Sequence, residues 1–127
     1  MEREISIEIG ALVLDASLND KSVSRAIYEA LPLAVSGQYW GAEIYFPVPV
    51  AAENESPQEE VEVGQLAYWP PGNALCIFFG PTPASTSSAP RAASPVTVVG
   101  RLEIIPAELL RRPSLETIDV RPKRSAS

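Results

Sequence analysis

At 127 residues the chain has the length of one domain, and its formal charge of -6 with a pI near 4.6 gives a field that repels nucleic acid and anionic lipid headgroups. It has no histidine, which removes Ser-His-Asp, Cys-His and histidine-metal chemistry together. The single Cys76 cannot close an internal disulfide and fits a reducing compartment.

The charged opening Met1-Glu2-Arg3-Glu4 carries no signal-peptide or membrane-span pattern, so the expected location is the cytoplasm, without a membrane partner. From Glu4, Ile5, Ile7 and Ile9 alternate with polar residues up to Gly10, after which Leu12, Val13 and Leu14 resume; this predicts two paired strands about a glycine turn or bulge. Asn19-Asp20-Lys21-Ser22 supplies N-cap chemistry before Val23, Ala26, Ile27, Ala30 and Leu31, which repeat at helical spacing until Pro32. Glu43-Ile44-Tyr45-Phe46 reads as a strand ended by Pro47, and residues 51–58 as a polar, acidic loop. Leu66 to Trp69, the turn Pro70-Pro71-Gly72-Asn73 and Leu75 to Gly80 read as strand, tight turn, strand. Residues 81–95, rich in Pro, Ser, Thr and Ala, predict an exposed loop; residues 95–105 return to strand; a short helix is expected over 107–112, and a frayed polar tail over 121–127. Many short strands, Gly/Pro turns and one early helix argue for a closed or nearly closed antiparallel barrel.

Four blocks, in order, carry a family resemblance: Trp40 to Phe46; Val63-Gly64 with Tyr68-Trp69-Pro70-Pro71-Gly72; Ala74 to Pro83; and Val96 to Arg101. Together they resemble a family of small prokaryotic cyclophilin-like proteins of uncharacterised function. The resemblance implies a mostly-β, cyclophilin-like closed antiparallel barrel of eight strands with one or two short capping helices, over residues 1–120. In cyclophilins an arginine holds the twisted prolyl amide beside an aromatic and aliphatic pocket. The strand where it would be expected reads Glu43-Ile44-Tyr45-Phe46, and no arginine or lysine occurs between Arg25 and Arg91. The pocket histidine and the glutamine-phenylalanine pair also have no match in Leu75-Cys76-Ile77-Phe78. These departures leave the barrel in place and remove the isomerase signature.

Glu43 stands in an apolar strand beside Tyr39, Trp40 and Tyr45. Facing an aromatic cleft, it would have a raised pKa, suited to acid-base work or to holding a cationic group; alternation would instead turn it to water. Tyr68 and Trp69 precede a proline turn, either presenting a recognition surface or plugging a barrel end, and strand geometry sends one to each face. Cys76, in an apolar run without a nearby cation, is read as a buried inert thiol, and the hydroxyls near Thr82 as loop composition. The candidate ligand-binding set is Tyr39, Trp40, Glu43, Tyr45, Tyr68, Trp69 and Thr82, with catalytic residues unassigned and no metal or cofactor implied. Three readings follow in order of preference. The first is a module binding a small molecule or peptide; the second is an enzyme, either a weak prolyl isomerase or an amide-hydrolase-like activity; the third is a scaffold forming a homo-oligomer.

Overall fold

A computed structural model of the chain describes residues 2–123. The elements in order are β1 (Arg3–Ile9), β2 (Leu12–Leu18), α1 (Ser22–Glu29), β3 (Leu33–Val35), β4 (Gln38–Tyr39), β5 (Glu43–Pro47), β6 (Gln58–Glu60), β7 (Gln65–Trp69), β8 (Ala74–Phe78), β9 (Arg91–Leu102) and β10 (Ile118–Pro122). None of the described helices is long and apolar enough to cross a membrane. Every strand pairing is antiparallel, and the path runs β3-β10-β1-β2-β9-β7-β8-β5-β4, with β6 paired to β9 outside it.

The alternation in β1 and β2 puts Ile5, Ile7 and Ile9 opposite Ala16, Leu14 and Leu12, and all but the partly buried Leu12 are fully buried in the main core. Gly10 makes the turn between them with φ +60°, a conformation that favours glycine. Val23 and Ile27 carry α1 onto the same core, joined there by Ile44, Phe46, Leu66, Leu75, Ile77, Ile118 and Val120.

The expected closed barrel of eight strands is corrected on two points. The path contains more strands, and no ladder closes it: its ends, β3 and β4, are successive in sequence and linked only through Ser36 and Gly37. Packing takes the place of hydrogen bonds at this seam. A Cβ on Gly37 would stand 2.6 Å from the Ile118 side chain and 3.2 Å from the Tyr45 carbonyl, so the chain passes there only because no side chain is present.

Long-range pairing also moves several boundaries. Strand β9 starts at Arg91, inside the expected loop, because its first half pairs with β6 and its last residues pair with β2 and β7. The short helix expected over 107–112 is present as a 3-10 helix, Ala107–Arg111. Arg121 and Pro122, expected in the tail, pair with Ser6 and Ile5; residues 124–127 lie outside the described set. The N-cap of α1 is Lys21 with no side-chain cap of its own; the Asn19 Oδ1 accepts from the Lys21 amide and the Ser24 hydroxyl instead. The carboxylate of Glu55 caps the helix from a distant loop, accepting from the Val23 amide at 3.0 Å and the Ser22 hydroxyl at 2.6 Å.

That acidic loop is tied down from within. The fully buried Tyr68 hydroxyl donates to the Val50 carbonyl at 2.6 Å and accepts from the Ala52 amide at 3.2 Å, with the Asn73 side chain at 3.1 Å. Thr97 adds a second tie, donating to Asn54 and accepting from the Glu55 amide. Replacing Tyr68 by Phe strands these buried groups and is expected to lower stability by about 1–3 kcal/mol, read as a lower denaturation midpoint. An unchanged midpoint would show that the hydroxyl does not anchor the loop.

Candidate functional site

Strands β5, β8 and β7 carry a second buried face behind the main core. Register pairs Glu43 with Phe78, and Tyr45 with Cys76, which also pairs with Ala67 on the other side. Ile44, Phe46, Leu75, Ile77, Leu66 and Tyr68 point to the main core. The alternate residues Cys76, Phe78 and Ala67 form a smaller outer cluster with Val61, Ala92 and Val96, edged by Tyr45, Trp69 and Val98. The first half of β9 roofs this outer face. Alternation turns Val96 to the outer cluster and Val99 to the main core, and a one-residue irregularity in the β7-β9 register between Leu66 and Ala67 brings Leu102 to the main core as well.

Between sheet and roof lies a cavity of about 140 Å³ lined by Trp40, Glu43, Tyr45, Trp69, Cys76, Ala92, Ala93 and Val96. Trp40, Tyr45 and Trp69 are half-buried. The Trp69 indole N–H donates to the Ser94 hydroxyl at 2.7 Å, and the Tyr45 hydroxyl donates to the Gln38 side chain at 2.8 Å, so both rings are oriented at their edges. The turn after Trp69 is shaped to that indole. A Cβ on Gly72 would lie 2.8 Å from the Trp69 ring, and the left-handed position of the turn is taken by Asn73, at φ 45°.

Glu43 is the charged member. Its side chain points away from the main core, as alternation implies, but the outer layer covers it and leaves it 6% exposed. Burial pushes its carboxyl up to about 7, opposed in part by a hydrogen bond from the Cys76 thiol. Burial and the facing carboxylate push Cys76 well above its ordinary value, so it serves Glu43 as a donor and is not activated as a nucleophile. Among the described residues no cationic side chain lines the cavity. Among the described residues no three His, Cys, Asp or Glu side chains could hold a metal ion.

Of the seven candidates, the structure brings Trp40, Glu43, Tyr45 and Trp69 together and places three elsewhere. Tyr68 faces the main core, because adjacent residues of a strand face opposite ways. Tyr39 packs edge-on against Phe79 at 6.4 Å between centroids and lies under the Arg112 guanidinium, its hydroxyl donating to the Pro113 carbonyl. Thr82 donates to the Arg91 carbonyl and accepts from the Ala84 amide, so it touches the cavity only by holding the start of β9. Sequence reasoning missed Cys76, Ala92, Ala93 and Val96 as lining residues. Strand β8 is apolar throughout and offers no phase, and Ala92 and Ala93 sit in a segment that reads as loop.

A mostly-β domain with a small, aromatic-edged cavity on its outer face is the class that fold and site define. Residues 3–121 match the family described as Cyclophilin-like, and the chain belongs to that family. It is similar to a hypothetical protein from Archaeoglobus fulgidus known from a solution structure. The TM-score is 0.79 and the identity 35%, covering 96% of this chain and 95% of that one. No curated protein matches.

The raised carboxyl has a thermodynamic consequence with a definite sign. From the ordinary carboxylate range up to about 7, the folded state holds a proton on Glu43 that the unfolded state has lost, so stability falls as pH rises through this window. Glu43→Gln removes that slope and is expected to be more stable than the parent above the window, by up to roughly 2–3 kcal/mol. Denaturation midpoints across the window check this; parallel pH profiles for the two proteins would refute it.

Proposed function

We propose that the domain binds a small molecule or peptide in the cavity under β9, and that it does not isomerise prolyl bonds. The observation that carries the reading is Glu43, a buried carboxyl facing an aromatic-lined space with only a thiol for a protein partner. A protein gains no stability from ionising such a group, and a concave apolar site with one placed polar group is the usual form of a ligand pocket. The volume, about 140 Å³, matches one ring or a short branched group, since a cavity of about 150 Å³ admits benzene. Among the described residues the lining offers no guanidinium to hold a twisted amide, which speaks against isomerisation.

One observation favours an enzyme as the second reading: a carboxyl poised near neutrality is what a general acid or base requires. Against it, the lining holds neither a second carboxylate nor an activated nucleophile.

The chain has two tryptophans, Trp40 and Trp69, and both line the cavity, so intrinsic fluorescence reports directly on occupancy. A panel of metabolites and proline peptides is expected to include a compound giving a saturable change; a flat response to all of them would remove the binding reading. A protease-coupled prolyl assay is expected to give the uncatalysed rate. A rate above it that falls in Glu43→Gln would instead support the enzyme.

A further inference from the structure

The chemistry of the lining narrows the ligand class. Three aromatic side chains, Trp40, Tyr45 and Trp69, come from three separate segments to one cavity, and Glu43 supplies its only carboxylate. Ring faces carry negative charge density and attract a cation lying over them, most strongly when water is excluded. A carboxylate in the same enclosure adds a unit charge of matching sign, and among the described residues no lysine or arginine lines the cavity to neutralise it. The nearest cation along the chain, Arg91, is already paired with Glu59 at 2.6 Å. The remaining lining residues, Ala92, Ala93, Val96 and Cys76, give small, mostly apolar walls that accept methyl groups. An anion would meet Glu43 unpaired, and a neutral hydrocarbon would leave a buried carboxyl unanswered.

The geometry points to a small alkylated ammonium group as the ligand of this cavity, its methyl groups against Trp40, Tyr45 and Trp69 and its charge answered by Glu43. This rests on the binding reading above and adds the ligand's chemical class to it. The Trp69 ring is set by Gly72 and Ser94, and the Tyr45 ring by Gln38, so two walls of the cage are in place before a cation arrives. The overall charge of -6 favours the approach of cations.

The cation binds the ionised form of Glu43. The other titratable side chains on the cavity are Cys76, held protonated, and Tyr45, whose hydroxyl is bonded to Gln38. Affinity therefore rises with pH through the titration of Glu43, near 7.

The test is a fluorescence titration of the full chain with choline and tetramethylammonium, at constant ionic strength set with sodium chloride. The comparison compound is the neutral alcohol in which a quaternary carbon replaces the choline nitrogen. Saturable responses to the cations are expected, with the neutral isostere at least about tenfold weaker. Glu43→Gln, checked for native circular dichroism, is expected to weaken choline by about tenfold or more while leaving the isostere unchanged. Between about pH 8 and about pH 6 the parent should lose about tenfold in choline affinity, and Glu43→Gln should lose none. A peptide bearing trimethyllysine separates the sources of the group: tighter binding than choline places it on a protein side chain, weaker binding on a free metabolite. Equal affinity for choline and its isostere, or full choline affinity in Glu43→Gln, overturns the ammonium assignment while leaving a binding cavity standing. If proline peptides and metabolites are also without effect on both tryptophans, the binding reading falls with it.

Discussion

Strand β8 has water on neither face, and the rest of the architecture follows from that constraint. All five of its residues are buried: Ala74 at its start, Leu75 and Ile77 on the main core, Cys76 and Phe78 on the outer cluster. A strand in that position needs cover on both sides, and the second cover is the first half of β9 with β6. Where this outer layer meets the sheet imperfectly, the cavity remains. The Glu43 carboxyl is dry because that layer covers the face of β5 that an unlayered barrel would leave to solvent.

The same layering separates support from site. Tyr68 and Trp69 are neighbours in sequence, yet Tyr68 secures an acidic loop from inside the core while Trp69 walls the cavity on the other side of the sheet. Glu55, in the loop that Tyr68 holds, caps α1, so one buried hydroxyl links a strand, a loop and a helix start. Thr82 and Gly72 act on the cavity indirectly, through the backbone of Arg91 and the plane of the Trp69 ring.

Local patterns in the sequence carried the parts of the fold that depend on local chemistry. The period of Ile5, Ile7 and Ile9, the break at Gly10, the helical spacing of Val23 and Ile27, and the proline turn between β7 and β8 all correspond to elements in the structure. What was not legible depends on distant partners. The start of β9 is Arg-Ala-Ala-Ser-Pro, weak in β propensity, and is a strand because β6 and the outer cluster hold it. Strand β10 hides a short alternation, Ile118 and Val120 about Asp119, in a polar terminus. The seam at Gly37 cannot be read from composition at all. For the site, proximity in sequence collected Trp40, Glu43 and Tyr45 and brought in Trp69, but it also drew in Tyr39 and Tyr68. Only cross-strand register, which sets Cys76 beside Tyr45, reveals the partner of Glu43.

The roof of the cavity is a continuous strand, tied by ladders to β6 on one edge and to β7 further along, with its origin clamped by Thr82. Unlike a flap on a loop, such a roof does not swing aside. On the proposed binding reading, a guest would have to pass between the half-exposed rings at the rim. Such an entrance would select a guest by girth, in the manner of a mesh and not of a closing jaw.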